Sequence, residues 1–169
     1  MDITLPLLRI RNFTLADITE EYLSWLNNPS AVKFSNQRFL RHGYLSSIRY
    51  LFRIRSSGNS FLLIKSHENI PLGTATVYRS IHHNTCDIGI LISPHYQGLG
   101  YGKVAFKAIV EHLLFKEAVR KVTAGTLSCN HPMISLMLNA GMTHEATLHN
   151  QELLDDLPRD IVIYSRFRL

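Results

Sequence analysis

The chain has 169 residues, of which 46% are hydrophobic, 18 are lysine or arginine and 13 are aspartate or glutamate. This length and composition favour one globular domain over residues 1–169 and exclude a disordered chain. The net charge of +5 comes without a lysine/arginine run, and no apolar run approaches the ~20 residues of a membrane span, so neither a nucleic acid nor a membrane is expected as a partner.

The N-terminal third predicts one strand followed by helical segments. Residues 6–14 are typical of a strand. Thr14, with Asp17 three residues later, has the spacing of a capping box and predicts a helix over 15–28. The 3.6-residue period of 44–57 predicts another helix. Three apolar side chains fall on one side of it: Leu45, Ile48 and Phe52.

From residue 59 the pattern changes to alternating strands and turns. Three strands are predicted as an antiparallel meander, at 59–67, 72–80 and 85–93. The segments that follow predict a helix, a strand, a short helix closed by Gly141 and two strands around an acidic turn. They span 101–118, 121–128, 131–141, 142–152 and 159–169, with the turn at 153–158. This order predicts an α+β fold.

A glycine-rich loop follows the third strand of the meander and opens the long helix. The dinucleotide-binding pattern GxGxxG fails because Lys103 stands where its third glycine belongs. The P-loop pattern GxxxxGK[ST] fails at Gln97 and Val104. The pattern that remains is Q-x-x-G-x-G, in which bare N–H groups at the positive end of a helix suit a pyrophosphate. A turn with a purely structural role is the alternative.

On these residues the chain resembles the GCN5-related N-acetyltransferase (GNAT) superfamily, whose signature is [RQ]-x-x-G-x-[GA]. The strand 87–92 and the pair Asn130 and Gly141 match further motifs of such enzymes, although Met142 replaces a usual phenylalanine. Residues 22–38 resemble the branch of ribosomal-protein N-terminal acetyltransferases and amino-sugar acetyltransferases. The resemblance implies a GNAT-like fold with a central mixed, mostly antiparallel sheet of about seven strands, flanked by helices, and a splayed strand pair at the cofactor site.

The resemblance also implies acetyl-CoA as co-substrate and direct transfer of its acetyl group to a primary amine. The acceptor would be an amino sugar or a nucleotide-linked amino sugar, or alternatively the N-terminal alanine of a ribosomal protein. A non-catalytic acetyl-CoA-binding module is the alternative from another class. Loop N–H groups would bind the pyrophosphate, the strand end would pair with pantetheine, and Asn130 would bind the pantetheine arm or simply form a turn. The implied cofactor residues are Leu91, Ile92, Gln97, Gly98, Leu99, Gly100, Tyr101, Gly102, Lys103 and Asn130.

An amine attacks a thioester only when it is neutral, so such an enzyme needs a base. Asp87 is the candidate base, with a cross-strand ion pair as the alternative role, and Glu152 is a second carboxylate at the acceptor side. A backbone N–H near Leu91 or Ile92 would stabilise the oxyanion.

The chain departs from the family at the acid that protonates the leaving thiolate. Similar enzymes carry a tyrosine where this chain has Met137. Tyr164 and Ser128 are the replacement candidates, and departure of the thiolate without an acid is the alternative.

Arginines concentrate in the region that borders the acceptor in similar enzymes: Arg38, Arg41, Arg49, Arg53 and Arg55. Arg49 and Arg53 share a helix face and would bind a phosphate together, so a negatively charged or small acceptor is expected; a solvated basic face is the alternative. Trp25 would flank the acceptor, unless it is a core residue.

No histidine spacing typical of a metal site occurs, so no metal is expected. Cys86 and Cys129 lack the CxxC spacing, and the N-terminus lacks the pattern of a signal peptide, so a cytoplasmic protein is expected. The oligomeric state is left open between monomer and homodimer.

Overall fold

In the computed structural model, which describes residues 1–168, the backbone forms eight strands and five α-helices. The strands are β1 (Asp2–Thr4), β2 (Arg9–Asn12), β3 (Ser60–Lys65), β4 (Pro71–Ser80), β5 (Thr85–Ile92), β6 (Lys121–Leu127), β7 (Thr143–Leu154) and β8 (Leu157–Phe167). The α-helices are α1 (Glu20–Leu26), α2 (Pro29–Val32), α3 (Tyr44–Ser56), α4 (Tyr101–Glu111) and α5 (His131–Asn139).

The strands pair in the order β1-β2-β3-β4-β5-β6-β8-β7. β5 and β6 run parallel, whereas β1–β2, β2–β3, β3–β4, β6–β8 and β7–β8 have antiparallel registers. The prediction of an α+β fold with a mixed, mostly antiparallel sheet is confirmed. The sheet has one strand more than the seven expected.

The additional strand comes from the N-terminus. The predicted strand over 6–14 is wrong in its bounds, because a turn around Pro6 closes with a hydrogen bond from the Leu5 N–H to the Leu8 C=O at 2.9 Å. This turn separates β1 from β2, and the two short strands pair through Ile3 and Ile10. A strand of three residues is too short to show a period in the sequence.

The chain divides into two units, which are described separately. The first unit comprises residues 1–77 and 90–105. Its buried core contains an aromatic cluster, in which the Phe13 ring lies 4.6 Å from Phe61 and 5.0 Å from Tyr22. Trp25 packs edge-on against Tyr22 at 6.1 Å. The cluster joins α1 to β3, because the Tyr22 ring on α1 lies 6.3 Å from the Phe61 ring on β3. The Phe13 N–H also donates to the Phe61 C=O at 2.8 Å.

The predicted capping box is present, but the helix predicted over 15–28 begins later. Asp17 Oδ2 accepts hydrogen bonds from the Thr14 N–H at 2.7 Å and from Thr14 Oγ1 at 2.8 Å. The box opens only a 3-10 turn over Leu15–Asp17. Thr19 then accepts from the Tyr22 N–H and caps α1, so the backbone needs a second N-cap before the α-helix starts.

Helix α3 has nearly the predicted bounds, and of the three apolar side chains predicted on one side only Ile48 packs against the core. The buried side chains are Ser47, Leu51 and Ile54. They follow an i, i+4, i+7 spacing, and Leu51 and Ile54 belong to the same buried cluster as Phe13 and Trp25. Leu45 and Phe52 face solvent, with 71% and 58% of their surface exposed. The helix carries apolar residues around more than half of its circumference, so the period alone did not decide which side is buried.

The second unit comprises residues 78–89 and 106 onwards. The helix predicted over 101–118 ends as α4 at Glu111 and continues as a π-helical turn over His112–Lys116. Gly141 follows α5 with φ +72°, which confirms it as the C-terminal glycine of that helix. The predicted acidic turn shortens to Asp155 and Asp156, whose φ angles of +53° and +59° fit a two-residue hairpin between β7 and β8.

The Asp17 contacts give a first prediction. Although burial raises the pKa of Asp17, hydrogen bonds from Arg11 and Thr14 outweigh it and hold that pKa below the ordinary value. The stabilisation is therefore present above the pKa of the unfolded chain and is lost as the pH falls through the folded pKa. Asp17→Asn should lower the free energy of unfolding at pH 7 by about 1–3 kcal/mol, measured by urea denaturation, and the difference should shrink in acid. Glu20→Gln, an exposed carboxylate on α1, is the control and should leave the stability nearly unchanged.

Candidate active site

The glycine loop leads from the end of β5 into α4. Residues Pro94–Tyr96 form a 3-10 turn, the Gln97 backbone is extended, and α4 begins at Tyr101. Gly98 and Gly100 adopt φ angles of +78° and +88°, which other residues take only with strain. The prediction of a glycine loop that opens a helix is confirmed.

The loop leaves space beside its backbone. A Cβ placed on Gly98 or Gly100 would meet no atom within 4 Å. The Val104 N–H donates to the Gly100 C=O at 3.2 Å and starts the hydrogen-bond series of α4. Three N–H groups precede that bond and have no partner within the helix. They belong to Tyr101, Gly102 and Lys103. Open space next to these donors, at the positive end of an 11-residue helix, suits a phosphate group.

Two hydrogen bonds hold the base of the loop. Gln97 Nε2 donates to the Ile92 C=O at 3.1 Å, so the glutamine shapes the turn. The Ser93 N–H donates to the Leu72 C=O at 2.9 Å. Leu91 and Ile92 are half-buried, and Leu91 packs against the aromatic cluster of the first unit. Leu99, in contrast, is exposed within the loop. The predicted cofactor residues 91–103 are thus brought together in one continuous segment.

Asp87 lies on β5 within the second unit. Its Oδ2 accepts a hydrogen bond from Thr123 Oγ1 at 2.7 Å, and the parallel register pairs the same two residues. Burial raises the pKa of the Asp87 carboxyl above its ordinary value, and the hydrogen bond from Thr123 opposes part of that rise. The side chain nevertheless keeps an exposed surface. Within residues 1–168 no cation forms an ion pair with Asp87, which leaves the ion-pair interpretation without support.

Asn130 is engaged at both ends of its amide. Its Oδ1 accepts from the Met133 N–H at 3.3 Å and caps α5, and its Nδ2 donates to Thr126 Oγ1 at 2.8 Å. An amide offers two lone pairs and two N–H groups, so one of each is left over for a ligand. The turn-forming role is therefore observed, and the role in binding pantetheine stays a prediction.

Tyr164 and Asp87 project from opposite faces of the sheet. The registers align Asp87 with Thr123 and Thr123 with Ser165, so these three side chains share one face. Tyr164, the neighbour of Ser165 on β8, therefore points to the other face. There its ring contacts His144 edge-on at 5.5 Å. A base at Asp87 and an acid at Tyr164 would have to act from different sides.

The other candidates for the acid occupy distinct positions. Met137, at the tyrosine position of similar enzymes, is fully buried in α5, with 0% of its surface exposed. Ser128 is half-buried just after β6, and its N–H donates to the Asp160 C=O at 2.9 Å. Glu152 is half-buried on β7, opposite Arg159. Neither Ser128 nor Glu152 is assigned a role by these positions, and both stay predictions.

The predicted arginine cluster separates into individual environments. Arg55 donates to the Phe13 C=O at 2.8 Å, and Arg38 donates to the Ser35 C=O at 2.9 Å. Arg49 and Arg53 are both exposed on α3, one turn apart, and the Arg53 guanidinium lies 5.8 Å from the Tyr50 ring. The shared helix face of Arg49 and Arg53 is confirmed, and their role in acceptor binding stays a prediction.

Trp25 is a core residue with 1% of its surface exposed. It also lines a cavity of about 330 Å³ in the first unit, with Tyr22, Lys65 and the Arg11–Asp17 pair among the other lining residues. Its indole Nε1 has no hydrogen-bond partner among the described residues. The predicted role of Trp25 at the acceptor stays untested.

Sequence reasoning missed three polar side chains of this region. Thr123 holds Asp87, a pair that only the strand register reveals, and Thr126 holds Asn130, which lies four residues further along the chain. Ser93, directly before the loop, is fully buried, and its Oγ has no partner among residues 1–168. Its place after an apolar strand was the only available signal.

Neither a cluster of metal ligands nor a membrane-spanning helix occurs within residues 1–168. Among residues 1–168 no group of three or more His, Cys, Asp or Glu side chains is arranged to hold a metal ion. Cys86 is buried, Cys129 is half-buried, and both are free thiols. None of the described helices has the length and apolar character needed to cross a membrane.

A comparison with known protein families shows the family of this chain. A family model described as an acetyltransferase (GNAT) domain matches residues 8–143. No curated protein sequence matches the chain.

Several solved structures share the fold. RimL, a ribosomal L7/L12 alpha-N-protein acetyltransferase in complex with coenzyme A, is similar at a TM-score of 0.88 and 15% identity, over 99% of this chain and 98% of that chain. A GNAT-family acetyltransferase from Bacillus anthracis is similar at a TM-score of 0.86 and 19% sequence identity, over 99% of both chains. The microcin C7 self-immunity acetyltransferase MccE, in complex with acetyl-CoA and AMP, is similar at a TM-score of 0.82 and 18% sequence identity. The match covers 96% of this chain and 93% of that chain.

The Asp87–Thr123 contact gives a second prediction. Thr123→Val removes the hydrogen bond that lowers the Asp87 pKa, so the pKa should rise further above its ordinary value. Thr123→Ser keeps a hydroxyl and should preserve the parent value. Carboxyl ¹³C NMR titration of the three proteins measures the effect. Equal pKa values in the valine and serine variants would contradict the assigned contact.

Proposed function

Because the chain belongs to the GNAT acetyltransferase family, whose members use acetyl-CoA, we propose that it transfers the acetyl group directly to the primary amine of an anionic acceptor. The observation that carries the cofactor side of this proposal is the loop at Gly98 and Gly100. Its positive φ angles and open space leave three helix N–H groups available to a phosphate. The fit supports a pyrophosphate at the start of α4.

Within the loop, the N–H groups of Leu99 to Lys103 would hold the pyrophosphate, and Gln97 would keep the turn in shape through its bond to Ile92. The half-buried strand end at Leu91 and Ile92 would align pantetheine, and an N–H at this strand end would donate to the oxyanion. The remaining N–H and lone pair of Asn130 would bind the pantetheine arm. Acetyl-CoA, when bound, supplies the activated acetyl thioester.

Asp87 is the proposed general base. An ammonium group must lose a proton before its nitrogen can attack, and a carboxylate accepts it more readily when its pKa lies above the ordinary value. Thr123 would orient the carboxylate by its hydrogen bond to Oδ2. Direct attack needs no cysteine nucleophile, and both thiols are left outside the reaction.

The proposal assigns no side chain as the acid that protonates the leaving thiolate. Tyr164 lies on the sheet face opposite to Asp87, so the observations favour departure of the thiolate without help from this tyrosine. A cofactor-binding module without catalysis is the rival function. The raised pKa and partial exposure of Asp87 favour the enzyme, because a binding module has no need of such a carboxyl.

Two kinds of acceptor carry both a primary amine and negative charge. Arg49 and Arg53, exposed one turn apart, would bind the phosphate of a nucleotide-linked amino sugar. RimL acts on a protein N-terminus according to its name, and a protein acceptor would also use the apolar side chains that adjoin these arginines on α3.

The loop gives a third prediction. Acetyl-CoA at ~100 times its dissociation constant should stabilise the parent by about 2.7 kcal/mol, measured as a rise in Tm, whereas NAD and ATP should not. Gly100→Asp should abolish this rise, because it places a carboxylate beside the phosphate-binding N–H groups. Gly43→Asp is the matched control, since Gly43 also precedes a helix and has open space at its Cβ. The loop would be rejected as the cofactor site if both variants lost the acetyl-CoA-induced rise in Tm equally. It would also be rejected if ATP raised the Tm of the parent as much as acetyl-CoA does.

Asp87 gives a fourth prediction. Asp87→Asn should lower kcat by about 10²–10⁴-fold with little change in the affinity for acetyl-CoA. In the parent, kcat/KM should fall in acid as the pH drops through the raised Asp87 pKa, at a higher pH than for an ordinary aspartate. Asp2→Asn, on the exposed strand β1, is the control for loss of one carboxylate. Unchanged turnover in a folded Asp87→Asn protein would remove Asp87 from the mechanism.

A further inference from the structure

Helix α3 presents an exposed face that combines apolar and cationic side chains. Its members are Leu45, Arg49, Phe52 and Arg53, at spacings of i, i+4, i+7 and i+8. We call this set the α3 face. Leu45 and Phe52 lie two helical turns apart, about 10.5 Å along the axis, and both are more than half exposed.

The α3 face is not needed to bury the helix. The opposite side, with Leu51 and Ile54, already packs into the aromatic core of the first unit. The exposed leucine and phenylalanine therefore add nothing to that core, and each leaves apolar surface in water at a free-energy cost. A partner that covers both side chains would recover that energy.

The charged residues in the stretch of sequence that contains α3 have one sign. No aspartate or glutamate occurs between residues 22 and 67, a stretch that contains five arginines and two lysines. Within the described residues, no carboxylate forms an ion pair with Arg49 or Arg53. Arg11, by comparison, is held by Asp17 at 2.7 Å. The two arginines on α3 are therefore available to carboxylates from outside the chain.

We propose that the α3 face is a docking site for an acidic, amphipathic helical segment of a protein acceptor. Carboxylates of the partner would pair with Arg49 and Arg53, and aliphatic side chains two turns apart on the partner would cover Leu45 and Phe52. The proposal rests on the proposed function for its purpose, which is to bring the amine of the docked protein to the enzyme.

The composition of the face favours a polypeptide over the other polyanions. Arginine and aromatic residues are enriched at protein interfaces, whereas lysine is depleted, and every cation between residues 38 and 55 is an arginine. Three large apolar side chains of α3 are exposed, Tyr44, Leu45 and Phe52, which is few for a helix that inserts into a lipid surface. Leu45 offers nothing to the phosphates or base edges of RNA. A second copy of this basic face would meet it with like charge.

The test uses a synthetic peptide of about 20 residues, long enough to form a helix. Its leucines lie on one face of that helix with glutamates beside them, and it carries a free N-terminal alanine and a C-terminal fluorophore. Fluorescence anisotropy without acetyl-CoA should show binding that weakens as salt rises. Leu45→Ala/Arg49→Ala should raise the Kd by about tenfold or more. Leu7→Ala/Arg9→Ala removes an exposed leucine and an exposed arginine near β2 and is the matched control, which should bind like the parent.

A charge exchange provides a second, independent variant. Arg49→Glu/Arg53→Glu should lose the glutamate peptide and bind the same peptide with lysine in place of glutamate. The folding of every variant is checked by circular dichroism and by the acetyl-CoA-induced rise in Tm. Phosphatidylserine vesicles and poly-uridine RNA serve as the alternative ligands.

The proposal is overturned if the parent does not bind the peptide, if both double alanine variants weaken binding equally, or if vesicles or RNA bind more tightly and with the same dependence on Leu45 and Arg49. Acetylation of the peptide N-terminus is measured separately by mass spectrometry. A peptide that binds but is never acetylated counts against the proposed function and leaves the docking site in place. Acetylation that is insensitive to the α3 variants overturns the docking site and leaves the function in place.

Discussion

Two glycines with positive φ, Gly98 and Gly100, turn the chain from β5 into α4, and the rest of the proposed cofactor site depends on that turn. A side chain at either position would strain the backbone and project into the open space beside it. The turn also decides which helix N–H groups stay unpaired, since the hydrogen-bond series of α4 starts only at Val104. One conformational constraint thus supplies both the space and the charge complementarity for a phosphate.

The protein places its other chemistry on regular strands. Asp87 and Thr123 are held opposite each other by the parallel register of β5 and β6, so their hydrogen bond is fixed by backbone pairing and not by a mobile loop. A rigid carboxyl with a raised pKa and an exposed side is well suited to repeated proton transfer. Helix α3 also combines two roles: one side packs into the core, and the other leaves Leu45, Arg49, Phe52 and Arg53 exposed as the proposed docking face.

Sequence reasoning was strongest where a short local pattern of residues determines the local backbone structure. Glycine spacing predicted the loop, the Thr14–Asp17 spacing predicted the capping box, and Gly141 predicted the end of α5. It was weakest where the outcome depends on distant residues. The sequence did not decide which side of α3 is buried, because Leu45 and Phe52 fit the helical period as well as Leu51 and Ile54 do. The Asp87–Thr123 contact and the opposite orientation of Tyr164 follow from register, which no local pattern encodes.

Met137 carries a consequence for any redesign of this chain. In the position where the sequence resemblance implies an acidic tyrosine, this methionine is fully buried on α5 and has no exposed surface. A tyrosine at this site would need room for a larger ring and a partner for its hydroxyl, and close-packed interiors supply neither without rearrangement. Met137→Tyr is therefore opposed by packing alone, whatever its effect on turnover. A redesign that adds such a hydroxyl would also have to change the side chains that pack against position 137.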